Sequence, residues 1–403
     1  MMRWARFAAA LAVGMAASAG AQAQTPAPLR IGVMNDMSGP YADTSGPGSA
    51  VAARMAVKDF GGSVLGRPIE VLTADHQNKP DVGAQIVRKW IDEQDVSAIA
   101  DVNTSSVALA VQAITRDKQR VFLISGAASE DLTGKDCSPF SVQTADDTRA
   151  LSAGTTKAVI DSGAKKWFFI TADYTFGHVM EQASARVLAA NGGEVVGRIR
   201  HPQGTTDFSS FLLAAQASGA QAIGLANAGD DTTNTIKQAV EFGLPQGGQK
   251  LVGQIMFLSH IHALGLEAAR GLLLTESFYW DMNEASRAWS ARFEKEFGRK
   301  PTREQATTYA TVMHYLNAVK ASGDAEAKAV VAKMKELPME FFGQQARIRK
   351  DGRAIYDLTL YEVKSPAESK YPWDYYKPVT RLSGADAFAP ETESACPLLK
   401  QGQ

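Results

Sequence analysis

The sequence has little of what marks most specialised chains. Only two of its 403 residues are cysteine, Cys137 and Cys396. Two are too few for a disulfide scaffold, and neither stands in a Cys-x-x-Cys redox motif. Neither charge is in excess: 42 Lys and Arg meet 43 Asp and Glu, for a formal net charge of −1. Such a balance speaks against nucleic acid or an anionic membrane as partner. No stretch approaches the roughly 20 consecutive apolar residues of a membrane span, so no span is expected. Catalytic signatures are missing too. There is no Gly-x-Ser-x-Gly elbow, no Gly-x-x-x-x-Gly-Lys-Ser/Thr loop, and no Gly-x-Gly-x-x-Gly after the first strand. The histidines form one cluster, His260-Ile261-His262, with no Cys and no clear carboxylate partner to complete a metal site. An enzyme has no nucleophile, base or metal to stand on here, and no cofactor is indicated.

What is present begins with a basic start, Met1-Met2-Arg3-Trp4-Ala5-Arg6. An apolar run from Phe7 to Ala17 and the triplet Ala21-Gln22-Ala23 follow. This reads as a secretory signal peptide over residues 1–23, cut after Ala23, with no Cys there for a lipid anchor. The mature chain is therefore expected to be exported and soluble. In an oxidising compartment Cys137 and Cys396 are expected to bridge, clipping the C-terminal tail onto the region after Asp136; two free thiols are the alternative. About 380 residues remain, a length that suggests two domains.

Short apolar runs alternate with helical stretches from Leu29 onward. Leu29–Met34, Pro68–Ala74, the run ending near Val102, and Val121–Ser125 read as strands. Between them lie helices from Ser49 to Phe60, from Pro80 with the stripe Val82, Ile86, Val87, Trp90 and Ile91, and over about Ser105–Asp117. The pattern breaks over Gly126–Asp147 and then resumes. Strands at Trp167–Thr171, Glu194–Arg200, Ala222–Ala226, Leu251–Ile255 and Gly271–Thr275 alternate with helices at 148–162, 176–191, 208–217 and 230–242. Helices over 284–297, 301–321 and 325–337 follow, then a hairpin around Asp351-Gly352, then a Pro- and Tyr-rich tail that wraps the surface. The fold class is α/β, with two doubly wound parallel-sheet lobes. Ligands on such sheets bind at the carboxyl ends of the strands, here between the lobes.

One such end stands out. The strand at Ala98-Ile99-Ala100 runs into Asn103-Thr104-Ser105-Ser106 and directly into an Ala-rich helix. Free backbone N–H groups, the positive end of a helix dipole and three hydroxyls together can cradle a carboxylate. Simple helix capping by Thr104 or Ser105 is the other reading.

Ile31-Gly32-Val33-Met34, Met37-Ser38-Gly39-Pro40, Gly61-Gly62, Ile124–Ser129, Asp173–Gly177, Gln238–Leu244 and Gly271–Thr275, in that order, resemble a known family. These are the periplasmic substrate-binding proteins of ABC importers, in the leucine/isoleucine/valine-binding group with the type I periplasmic binding fold. The resemblance covers nearly the whole mature chain. It implies a monomeric periplasmic receptor that closes like a hinge on a small molecule and delivers it to a membrane permease. It also implies three crossing strands, near Thr144, Ser277 and Ile355. Residues 28–144 and 277–355 would form the first lobe, 145–276 and 356–385 the second, and 386–403 a tail.

The resemblance further implies ligand contacts. Asn103, Thr104 and Ser105 would hold a carboxylate, aided by Ala127 and Ser129. Tyr174 or Phe176 would supply an aromatic wall, and the loop from Asn227 to Asp230 would close over the ligand. Phe176 as a plain core residue, and Asp230 and Asp231 as helix caps, are the alternatives. Amino-acid binders of this group carry an acid after the next strand, where this chain reads Gly253-Gln254-Ile255-Met256-Phe257-Leu258. A buried ammonium without a carboxylate costs several kcal/mol. Unless Asp230 substitutes, the expected ligand is an organic carboxylate, aromatic in the manner of benzoates. Its body would lie against Ile255, Met256 and Phe257, with Tyr279 and Trp280. A branched-chain or other amino-acid or amide binder on the same scaffold is the alternative.

Overall fold

In the computed structural model, residues 26–400 are described; the expected signal peptide lies outside them. Six strands make the first sheet: β1 (Leu29–Asn35), β2 (Ser63–Val64), β3 (Arg67–Asp75), β4 (Val96–Asp101), β5 (Val121–Ile124) and β6 (Ser141–Gln143). Their order is β2-β3-β1-β4-β5-β6, parallel except for the β2–β3 hairpin. Helices α1 (Gly46–Phe60), α2 (Pro80–Gln94) and α3 (Ser105–Asp117) connect the strands. Strands β4 and β5 are buried throughout, which is why they read as unbroken apolar runs. Glycine 61 ends α1 in the left-handed conformation, as a helix stop should.

After α4 (Thr148–Asp161) the chain builds a second parallel sheet from β7 (Lys166–Ala172), β8 (Glu194–His201), β9 (Ala222–Ala226) and β10 (Lys250–Gly253). Its order is β10-β9-β7-β8. Helices α5 (Thr175–Ala190), α6 (Ser209–Ala217), α7 (Asp230–Glu241), α8 (Leu258–Leu264) and α9 (Leu266–Ala269) belong to this half. Strand β11 (Leu273–Glu276) then leads to α10 (Glu284–Phe297), α11 (Arg303–Ser322) and α12 (Ala327–Glu336). These three helices return to the first sheet: Trp289, Phe293, Tyr315, Leu316 and Val330 share one core with Leu29, Ile31 and Val33. Strands β12 (Met339–Phe341), β13 (Gln344–Ile348) and β14 (Ala354–Ile355) form a small antiparallel sheet, and β15 (Leu358–Val363) pairs with β11 on one side and β16 (Tyr376–Leu382) on the other.

Core membership changes repeatedly along the chain. Val142 belongs to the first core and Leu151 to the second half; Leu274 and Phe278 divide the same way, and so do Leu358 and Tyr361. Tyr356 and Leu358, expected in the second lobe, therefore sit in the first. The Tyr356 ring stacks on Phe341 at 4.8 Å and its hydroxyl donates to Asp146 at 2.9 Å. The tail is not a loose wrap either. β16 is a paired strand, Ala387 and Phe388 are buried in the first core, and Cys396 is disulfide-bonded to Cys137 with Cα atoms 5.6 Å apart. The Gly126–Asp147 break hides strand β6, whose three residues are too few and too polar to show a period.

Candidate functional site

The carboxyl ends of both sheets meet across one cleft. On the first side the chain leaves β4 through two residues in the left-handed region, Asp101 (φ 74°) and Val102 (φ 56°). That conformation is unfavourable for a β-branched residue and must be held by its surroundings. The Asn35 amide donates to the Asp101 carboxylate at 2.6 Å, and the Val102 N–H donates to the Met34 carbonyl at 2.7 Å. Burial pushes the Asp101 carboxyl up to about 6. The turn delivers Asn103 to the cleft wall. Its Oδ1 accepts the Asp36 N–H at 3.2 Å, while its Nδ2 is left without a hydrogen bond beside His76, which burial keeps neutral with a pKa of about 4.

Thr104 does not cap α3 with its side chain; its hydroxyl donates to the Asn78 side-chain carbonyl at 2.5 Å. The Ser105 hydroxyl is buried and unpartnered. Ala127 and Ser129 do not join the wall as expected. Both carbonyls accept the Gln143 amide, at 2.9 and 3.0 Å, and the Ser129 hydroxyl caps a short helical turn at Asp131. Ala128, between them, lines the cleft instead.

The second side is aromatic. Tyr174 and Phe176, at the start of α5, line the cleft with ring centroids 5.9 Å apart. Ile255 and Phe257, beyond β10, complete that wall, whereas Met256 alternates away into the core beneath Gly253. Asn227 is also turned inward: it accepts from Thr232 at 2.8 Å and lies 3.2 Å from both His201 and Thr235. Ala228 reaches the cleft; Asp230 is exposed at the start of α7 and does not line it. Asp231 is buried, accepts the Gly204 N–H at 3.2 Å, and is pushed up to about 7 by burial. Tyr279 and Trp280, expected beside the ligand, both donate to the Trp373 carbonyl and pack under the tail.

Besides Gly126 and Ala128, next to the expected Ala127 and Ser129, the wall residues Tyr41, Thr44 and Glu304 escaped sequence reading. Tyr41, from the loop after β1, crosses the cleft to place its hydroxyl 3.0 Å from that of Tyr174 and to accept from Gln203 at 2.9 Å. Glycine 229 lies so close that a Cβ there would fall 2.5 Å from the Pro40 carbonyl. Its φ of 63° also suits glycine. Glu304 comes from the first turn of α11. Burial, reinforced by Asp101, holds its carboxyl well above the usual carboxylate range. An acid therefore does face the cleft, from an element the linear motif after β10 could not reveal. Together these side chains leave about 30 Å³ between them, so the two halves are drawn closed. Among the described residues no cluster of three metal-binding side chains occurs, and no helix is long and apolar enough to cross a membrane.

Residues 28–370 match the family model described as periplasmic binding protein. The chain is 46% identical to a periplasmic binding protein of Burkholderia mallei, with a TM-score of 0.91 over 92% of this chain and 99% of that one. It is 37% identical to a branched chain amino acid ABC transporter periplasmic ligand-binding protein of Burkholderia xenovorans LB400, with a TM-score of 0.82 over 92% and 99%. A solute binding protein of an R. palustris ABC transporter, solved in complex with benzoate, shares the fold: TM-score 0.82 at 21% identity, over 92% and 99%.

Proposed function

The chain belongs to the periplasmic binding protein family, and on that premise we propose that its cleft captures a small organic carboxylate with a flat, apolar body for delivery to a membrane permease. Family members are solute-binding proteins of ABC transporters, not enzymes. The observation that carries the ligand class is the polarity of the cleft. Asn103, with Thr44 and the backbone of Gly126 beside it, makes one polar pole, and Tyr41, Tyr174, Phe176 and Phe257 make aromatic walls. Hydrogen bonds to a charged acceptor contribute about 1.5–3 kcal/mol each, so two or three from this pole hold a carboxylate without any Arg or Lys. The rings supply apolar contact at about 25 cal/mol per Å² buried. A body the size of benzoate enters with the lobes apart, and the Tyr41–Tyr174 contact re-forms as they close. The chain acts as an exported monomer in this reading.

Glu304 favours a second reading, an α-amino acid whose ammonium pairs with that carboxyl. A thermal-shift screen of the mature protein separates the two. A ligand at 100 times its dissociation constant adds about 2.7 kcal/mol, a readable shift. The first reading expects benzoate, 4-hydroxybenzoate or cinnamate to raise the midpoint. A rise with leucine, isoleucine or valine and none with the aromatic acids establishes the second.

A further inference from the structure

Among the residues lining the cleft, Glu304 is the one acid, and the charge of Arg303 offsets only part of the cost of its burial. Its Oε2 is buried without a hydrogen bond, and the residue is 5% exposed. Thr302 and Gln305 form a capping box that fixes the first turn of α11, and that turn is buried on every side. Each neighbouring group is either committed elsewhere or of the wrong sign. Arg303, the adjacent base, binds Asp146 at 3.1 Å and the Thr275 carbonyl at 3.4 Å, and lies over the Phe257 ring. The Thr44 hydroxyl donates to the Tyr41 carbonyl at 2.9 Å and only partly relieves the burial of Glu304. The Tyr174 hydroxyl is engaged with Tyr41. From β4 and β11 come two more acids, Asp101 and Glu276.

We propose that Glu304 is a specificity-determining residue that recognises a hydrogen-bond donor on the ligand, so that the cleft takes a bipolar solute. The solute's carboxylate lies at the Asn103 pole and its ammonium or hydroxyl group at Glu304. This rests on the carboxylate reading above. A buried acceptor with no donor costs about 1–3 kcal/mol. A solute without a donor leaves Glu304 in that state, or obliges it to keep a proton. A hydroxyl satisfies it as a neutral group, and an ammonium satisfies it as a carboxylate. Its elevated pKa fits a carboxyl that meets no cation until a ligand brings one.

Titration calorimetry on the mature chain tests this with two matched pairs: L-leucine against 4-methylpentanoate, and 4-hydroxybenzoate against benzoate. In at least one pair the member with the donor is expected to bind about tenfold tighter or more. Glu304→Met, of similar size, is expected to erase that preference while melting no lower than the parent. Glu304→Gln distinguishes the sources: its amide keeps an acceptor but no charge, so a leucine preference falls while a 4-hydroxybenzoate preference persists. If Glu304→Met does not fold, the wild-type pairs decide alone. Equal affinity within both pairs, or a preference that survives in folded Glu304→Met, overturns the assignment of Glu304 and leaves the carboxylate reading intact. Binding of none of the four acids overturns both.

Discussion

The two strand-to-helix edges that face each other across the cleft each open on an asparagine and do different things. Beyond β4 stands Asn103-Thr104-Ser105, and beyond β9 stands Asn227-Ala228-Gly229-Asp230. The first edge is held in a costly left-handed turn and delivers Asn103 to the cleft. The second turns Asn227 inward to Thr232, Thr235 and His201 and shows the cleft only Ala228. A polar residue at a strand end thus has two outlets, a ligand or the protein's own backing. Which one it uses depends on what stands behind it. A partner-rich helix start lies behind Asn227, whereas the backing of Asn103 leaves its amide nitrogen unbonded.

The largest expected effect comes from bringing the second edge too close to the first. Gly229→Val places a side chain against the Pro40 carbonyl and the Tyr41 ring, so the lobes are held apart. Calorimetry should find affinity for 4-hydroxybenzoate lowered by about a hundredfold, beyond the roughly 1–2 kcal/mol of local left-handed strain. Undiminished affinity would mean that closure does not bring these segments together.

Exchanging the two asparagines sharpens the contrast. Asn227→Ala should cost about 1–3 kcal/mol of stability through the unsatisfied groups it leaves behind. Asn103→Ala should weaken binding and melt within a degree or two of the parent. Equal melting losses would erase the distinction between the edges.

Each edge also holds a buried acid whose pKa is raised, to about 6 for Asp101 and about 7 for Asp231. The folded chain then binds more protons than the unfolded one above the ordinary carboxylate range. Their contribution to stability is full below about pH 4 and is lost as pH rises through 6 and then 7. The midpoint of melting should fall over that window. Asp101→Asn should flatten its lower part and Asp231→Asn its upper part, and a melting profile that rises with pH in this interval would contradict both. The smallest effect is expected of Thr104→Val. Its hydroxyl serves Asn78 rather than the cleft, so affinity should drop only about threefold, through a less well-held pole.

Much of this architecture was legible in the chain. Strands β1, β4, β5, β7 and β9 are largely buried parallel strands whose apolar runs announce themselves, β3 and β8 were read as well, and α3 was read over the residues it occupies; the two-residue antiparallel β2 was not. Strand β16 was not legible, because Tyr376–Leu382 is a half-exposed strand containing Pro378. The site was legible where a wall residue follows its own strand, as with Asn103, Tyr174, Phe176, Ile255 and Phe257. It was illegible where the fold carries a residue in from a distance. Tyr41 looked like one aromatic in a Gly- and Pro-rich loop. Glu304 stands in the first turn of a helix, where any acid favours the dipole and so draws no notice. A clue was present: from Arg303 to Val319 that helix is nearly all buried, so a charged residue within it needs a partner or a task.

The most direct test is titration calorimetry of the mature protein at pH 7 with 4-hydroxybenzoate, for the parent, Asn103→Ala and Asn227→Ala. Saturable one-to-one binding is predicted for the parent, weakened about tenfold or more in Asn103→Ala and retained in folded Asn227→Ala. No binding by the parent would contradict an aromatic acid as the ligand, and equal affinity in the parent and Asn103→Ala would contradict a carboxylate held at the first edge.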